Sequence, residues 1–237
     1  MPYIADERRY DDGITQLSVG SYSKKAWMFD VDACLLESVI LRAAEYTSSD
    51  IPRFLEWGAG LSTLSFTRAL HTAGHQFAWV TLEYDRDFMT ERALPFLSLW
   101  SPFTLVERYR VETGTDSLPG LADHPGLTAL VYDGGKLAPF LPGHSADRDV
   151  CLDSYIEDPA HLGARFDVIV IDGRKRRRCL LQARTLLAPG GVVILDDASR
   201  GYYQCAWQHY PAWQRLGEDL WIGAADEGDI RAHFLEP

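Results

Sequence analysis

The sequence predicts one doubly wound α/β domain, with helices on both faces of a mostly parallel sheet. Three observations predict it. Short apolar runs alternate with segments of helical periodicity, the first run opens onto a glycine-rich turn, and several later runs end on acidic residues. The chain has 237 residues, 46% of them hydrophobic. That length exceeds one minimal domain and falls short of two, and the apolar content suffices for a sizeable core. Residues 1–237 are therefore read as a single domain, with residues 1–50 an N-terminal helical cap region and residues 112–164 an insertion.

Each element has its own signal. Asp32 to Tyr46 places Leu35, Leu36, Val39, Ile40, Ala43 and Ala44 at helical spacing, and Asp50 and Pro52 end the pattern. Arg53 to Trp57 reads as a buried strand that stops at Gly58, and Leu61 to Ala73 as a helix closed by Gly74. Phe77 to Leu82 is a second strand, ending at Glu83. Asp87 to Trp100 is helical, bent or split by Pro95, and Phe103 to Val111 is a third strand. From Glu112 to Ala164 the pattern fails in favour of Gly, Pro, Asp and His, with one strand-like run at Leu127 to Tyr132. A segment of this length is expected to carry structure of its own, such as a lid. Asp167 to Ile171 is the next strand, closed by Asp172-Gly173, and Arg176 to Leu187 the next helix. Pro189-Gly190-Gly191 is a turn, followed by a strand at Val192 to Leu195 that ends at Asp196-Asp197. Gly201 to Arg215 is expected to be helical as far as Pro211, and Asp219 to Gly223 to pair with Ile230 to Leu235 as a final antiparallel hairpin.

Charge narrows the partners. The formal net charge is −11, which disfavours nucleic acid and anionic membranes, since both demand a basic face. No apolar run reaches the roughly 18 residues of a membrane span. Met1 to Asp12 lacks the basic start and apolar stretch of a signal peptide, so the expected location is cytoplasmic. Cys34, Cys151, Cys179 and Cys205 are too far apart for a zinc knuckle or a redox pair. A small-molecule partner fits best, and a homo-oligomer is compatible with the sequence.

The first candidate site is Glu56-Trp57-Gly58-Ala59-Gly60-Leu61-Ser62-Thr63, between a strand and a helix. Glycines there let the backbone approach a ligand, and the helix amides can receive an anionic group. A tight turn without a ligand is the plain alternative. A dinucleotide fingerprint would need a third glycine where Thr63 stands. Glu56 would repel a pyrophosphate yet could accept from a ligand ammonium. Glu83, closing the second strand, can accept from both hydroxyls of a ribose.

These stretches, with Thr81-Leu82-Glu83-Tyr84-Asp85, Phe166-Asp167-Val168-Ile169-Val170-Ile171-Asp172-Gly173 and Leu187-Ala188-Pro189-Gly190-Gly191-Val192-Val193-Ile194-Leu195-Asp196-Asp197, resemble in order the landmarks of class I S-adenosylmethionine-dependent methyltransferases. The resemblance covers roughly Arg53 to Val111 and Phe166 to Pro237. It implies a Rossmann-like sheet of seven strands, one of them antiparallel. It also implies S-adenosylmethionine as cofactor, with Glu56, Gly58 and Gly60 around its methionine half, Glu83 on its ribose and Tyr84 against its adenine. The implied activity is methyl transfer to a small-molecule acceptor, at oxygen in the first instance. N-methylation of a small molecule or peptide is the nearest alternative, and a non-catalytic nucleoside-binding protein or a dinucleotide or nucleotide-sugar enzyme is a more distant one.

Asp172, Asp196 and Asp197 fall at strand ends where α/β sheets bind ligands. They resemble the acids of catechol-type O-methyltransferases, which would make them Mg²⁺ ligands and Asp172 catalytic. Acids that bind cofactor or cap a helix are the metal-free alternative. The run Arg174-Lys175-Arg176-Arg177-Arg178 begins beside this cleft. Arg174 or Arg176 could grip a substrate carboxylate or phosphate, and Lys175 lies near the basic lysine of catechol-type enzymes. Asp172-Gly173-Arg174-Lys175-Arg176, with Cys179 shortly after, also resembles a bacterial methyltransferase subgroup. His144, His161 and His209 are further candidates for a general base. Trp27, Tyr202, Tyr203, Trp207 and Trp213 could line an acceptor pocket, although packing suits most of them better.

Overall fold

The structure is a computed structural model that describes residues 28–47, 50–100, 102–108, 115–134 and 151–234. Its centre is an eight-stranded sheet in the order β3-β4-β2-β1-β5-β6-β8-β7. The strands are β1 Arg53–Trp57, β2 Ala78–Glu83, β3 Phe103–Glu107, β4 Gly126–Val131, β5 Phe166–Ile171, β6 Leu187–Leu195, β7 Ala212–Leu216 and β8 Leu220–Ala224. The first six are mutually parallel, and the β7–β8 hairpin joins β6 antiparallel. The chain runs outward from β1 through β2 to the β3–β4 edge, then returns to lay β5 on the other side of β1. The order thus reverses between β1 and β5, and ligand crevices of open α/β sheets form at such a switch point, outside the carboxyl ends of the strands.

Helices α1 (Asp30–Tyr46) and α2 (Leu61–Thr72) cover one face. They bury Leu36, Val39, Ile40, Leu64, Phe66 and Leu70 against Phe54, Trp79, Val168, Val170 and Ile194. After β2 the chain forms α3 (Arg86–Phe88), a π-helical turn at Met89–Ala93, and α4 (Leu94–Leu97). The π turn absorbs Pro95, which has no N–H to give and would crowd the carbonyl four residues earlier. The opposite face carries α5 (Asp153–Glu157), α6 (Arg176–Leu186) and α7 (Gln204–Trp207). Tyr155, Ile156, Leu162, Leu180, Ala183 and Trp207 there meet Leu55, Trp57, Ile169, Val193 and Trp221. Strand residues alternate between these two cores, as the pleat requires. The last helix is α8 (Glu227–Ala232).

Several expectations are corrected. The sheet has eight strands where seven were expected; the one strand that runs against the rest is β8, as expected of the final hairpin, since β7 pairs antiparallel with β8 and so runs with the first six. The run inside the insertion is not peripheral: as β4 it sits between β2 and β3, paired in register from Ala78↔Gly126 to Glu83↔Val131. Residues 151–164 of the insertion pack beneath the sheet. The rest of the insertion, 112–114 and 135–150, lies outside the described residues and with it the lid expectation, as do Met1 to Asp12 and most of the cap region. The hairpin partner of Leu220–Ala224 is Ala212–Leu216, while Ile230 lies in α8. The turn Pro189-Gly190-Gly191 is a register shift inside one long strand β6. The Asp30 end of α1 is tied to that hairpin, because the Asp32 carboxylate accepts from the Glu218 and Asp219 amides at 2.7 and 2.9 Å. Among the described residues no helix is long and apolar enough to cross a membrane.

Candidate active site at the carboxyl ends of the strands

Gly58 follows β1 in the left-handed region, with φ +104. A Cβ there would lie 2.6 Å from the Gly173 nitrogen and 2.7 Å from its Cα, so the loops after β1 and β5 cross backbone against backbone. This close approach, rather than a ligand, is what fixes glycine at 58. Gly60 differs: a Cβ on it would meet nothing nearer than Phe88 at 4.0 Å. It stands immediately before α2, where the loop is open.

Glu56 points away from the cleft, under α2. Its two oxygens accept from the Ser62 and Thr63 hydroxyls, the Trp79 indole and the Thr81 hydroxyl, at 2.5 to 3.1 Å. It is fully buried, and burial raises its pKa against the pull of these four donors. The donors explain the local sequence: Ser62 and Thr63 open α2, and Trp79 and Thr81 share a face of β2. Glu56 therefore shapes the glycine loop from below, and a ligand ammonium is not in direct line with it.

Glu83 closes β2 at 4% exposure. It accepts from the Asp85 amide at 2.9 Å, and the Tyr84 and Ala59 amides lie near enough to lower its pKa. Burial, with the Asp85 charge adding, pushes it up to about 8. Tyr84 lies beside it, its hydroxyl accepting from Arg174 Nε at 3.3 Å and its ring packed edge-on to Tyr155 with centroids 6.1 Å apart. Tyr155 comes from the insertion, and no sequence signal marked it. Its hydroxyl is buried without a hydrogen-bond partner, at the spot a Cβ of Gly173 would occupy.

Asp172, Asp196 and Asp197 converge as expected, but they converge on Arg176. The guanidinium stands 2.8 Å from Asp172, 3.5 Å from Asp196 and 3.1 Å from Asp197. Arg200, which sequence reasoning passed over, closes Asp197 from outside at 2.6 Å. Asp196 is buried, and burial together with the Asp172 charge lifts its pKa well above the carboxylate range. Asp172 is pushed up to about 6 by the same loss of water, opposed by Arg176. Among the described residues no cluster of acids, histidines or cysteines is arranged to hold a metal ion. The set does not fit Mg²⁺, because a cation of the chain itself stands at its centre.

The basic run is dispersed. Arg176 is buried and turned inward, so the expected substrate grip on it is replaced by an internal tie. Arg178 bridges to Asp153 and Glu157 of α5. Arg174 stays by Tyr84, and Lys175 precedes α6 in the left-handed region with φ +55. His161 and His209 are exposed, and His144 and Trp27 lie outside the described residues. Tyr203 and Trp207 are buried, Trp207 stacking on Trp221 at 5.7 Å. Trp213 leans on Trp207 at 5.2 Å.

No family model matches the chain, and no curated protein is recognisably similar to it in sequence. Solved structures similar to it include a methyltransferase-like protein from Silicibacter pomeroyi. That likeness has 17% identity and a TM-score of 0.48, over 84% of this chain and 93% of that one. A second is the MycE methyltransferase of the mycinamycin biosynthetic pathway, solved with Mg, SAH and mycinamycin VI. It has 13% identity and a TM-score of 0.41, over 87% of this chain and 51% of that one, so this chain spans about half its length. A third is the rRNA methyltransferase AviRa of Streptomyces viridochromogenes, with 13% identity and a TM-score of 0.39, over 96% of this chain and 95% of that one. Two are described as methyltransferases and the first as methyltransferase-like.

Proposed function

We propose that this chain binds S-adenosylmethionine at the β1–β5 switch point and transfers its methyl group to a small-molecule acceptor, at oxygen in the first instance, without a metal. The observation that carries the reading is Glu83. It is a buried carboxylate at the end of β2, hydrogen-bonded to the Asp85 amide, with the Ala59 amide of the glycine loop close enough to lower its pKa, and facing no cation of its own. A nucleoside offering two adjacent hydroxyls supplies the donors such a group needs. Gly60 leaves the loop open, Tyr84 offers a ring face beside Glu83, and Glu56 fixes the loop through Ser62 and Thr63.

When bound, the cofactor supplies an activated methyl group on a sulfonium. The chain's share is alignment and proton removal, and alignment alone carries much of the rate. Asp172 retains 21% side-chain exposure at the cleft mouth, and its raised pKa suits it to take the acceptor proton. Lys175 flanks the same mouth, and Arg174, beside Tyr84, is the cation we assign to steer an acidic group of the acceptor. The overall charge of −11 favours a small molecule over nucleic acid. Calorimetry with S-adenosylhomocysteine, NAD and a nucleotide sugar tests the reading. Only the first is expected to bind tightly, and preference for either of the others would overturn it.

A further inference from the structure

Three carboxylates meeting at two strand ends repel one another unless a cation stands among them. Here that cation is covalent to the chain. A guanidinium has five N–H donors and no acceptor. In Arg176, Nε donates to the Gly173 carbonyl at 2.9 Å, and Nη2 donates to the Asp172 carbonyl and to its Oδ1 at 2.6 and 2.8 Å. Nη1 donates to the Asp196 carbonyl and faces Asp197 Oδ2 at 3.1 Å. The donors are spent inside the protein, and the side chain is only 9% exposed. Arg200 adds a second positive charge on Asp197 at 2.6 Å, so the pair brings the charge of one divalent ion. Asp197 and Lys175, the residues with positive φ other than glycine among those described, flank the guanidinium. Backbone of that kind persists only where the surroundings over-determine it.

We infer that Arg176 is the resident cation of this site. Its guanidinium holds the place among Asp172, Asp196 and Asp197 that a divalent metal would hold, and removing it turns the pocket into a divalent-cation site. The inference shares the strand-end site with the methyl-transfer reading but stands without it, since the test below contains neither cofactor nor acceptor. Hard oxygen ligands of this number and charge are what Mg²⁺ and Mn²⁺ take, at distances shorter than those to a guanidinium.

The experiment titrates Mn²⁺, read by loss of its free electron-paramagnetic-resonance signal, into the wild-type chain, R176M and R176M/D196N. Thermal unfolding is followed in EDTA and in Mg²⁺. The wild type is expected to leave Mn²⁺ free up to millimolar concentration and to unfold at the same temperature in both buffers. R176M is expected to unfold at a lower temperature in EDTA, to bind about one Mn²⁺ per chain, and to regain part of the lost Tm in Mg²⁺. R176M/D196N should lose both effects. R176K, a point charge without the planar fork, should bind Mn²⁺ more weakly than R176M. Saturable Mn²⁺ binding by the wild type that D196N abolishes would overturn the inference. So would a folded R176M that binds no Mn²⁺, or an R176M chain that Mg²⁺ fails to bring to the folded state.

Discussion

Glu56 and Glu83 are both buried carboxylates at the ends of adjacent strands, yet their environments assign them different work. Glu56 has four internal donors and is complete. Glu83 has backbone amides only, and its pKa of about 8 records a charge that lacks full compensation. Because its folded pKa lies above the ordinary 4.5, the folded chain holds that proton more tightly than the unfolded one. This contribution to stability is full below about 4.5 and is lost as pH rises towards 8. A ligand whose hydroxyls donate to Glu83 favours the ionised form. Affinity for S-adenosylhomocysteine should therefore rise with pH between 6 and 8, with a proton released on binding. Calorimetry in two buffers of different ionisation enthalpy measures this, and E83Q should abolish the release. A flat profile in the wild type would remove Glu83 from the ribose site. E83A should weaken binding by roughly tenfold to a hundredfold, the loss of about 1.5–3 kcal/mol for a charge-assisted pair. E56Q is predicted to act on stability instead. An amide nitrogen cannot accept, so at least one buried donor loses its partner, at a cost of about 1–3 kcal/mol in urea unfolding.

At the scale of elements, the same loop holds two glycines with opposite steric demands. Gly58→Ala would drive a methyl into the Gly173 backbone at positive φ, with no flexible side chain to yield. It should destabilise the fold and separate the β1 and β5 ends. Gly60→Ala meets only the Phe88 ring at 4.0 Å, so the variant should fold with near wild-type Tm and, under the proposed reading, lose S-adenosylhomocysteine affinity, because the methyl narrows the turn the methionine half would line. Equal loss of stability in both variants would contradict this division. Elements with strong periodicity were legible in the sequence: α1, α2, β1, β2, β5 and α6 fall within a residue or two of expectation. Of the final hairpin, β8 was legible to within a residue and β7 was not, because Trp213 in β7 continues the helical spacing of Trp207 at the end of α7 and Tyr210 just past it. Only the Gly217-Glu218-Asp219 turn, with Gly217 at φ +51, marked the strand boundary. By contrast β4 was legible as the apolar run Leu127 to Tyr132, within a residue of its bounds, but its place between β2 and β3 was not, since a run buried on both faces carries no sign of its partners.

For the whole molecule, the β4 placement changes what the insertion is. Its described parts are joined to the sheet by a buried ion pair: Arg108, just past β3, donates to Asp158 at 2.8 Å, and Tyr132, just past β4, donates to the same oxygen at 3.0 Å. Both charged side chains are 5% exposed. The strand-end acids of the site were readable, since each stands after an apolar run. Arg176 at their centre was not, because a charge run gives no sign of which member turns inward. The same holds for Asp158, whose partner lies 50 residues away. D158A should leave Arg108 buried without its carboxylate and cost about 3–5 kcal/mol. R108M/D158L should recover much of that loss, since apolar replacement of both partners removes the desolvated charge as well as the pair. Because the pair ties β3, β4 and the segment after α5 into one body, wild-type unfolding in urea should be a single transition at which fluorescence and circular dichroism coincide. In D158A the insertion should loosen first, so that fluorescence of the Trp57 indole, which donates to the Tyr155 carbonyl at 2.9 Å, changes ahead of the dichroism. Coincident transitions in D158A, with stability unchanged, would show that the insertion is held by its apolar contacts alone.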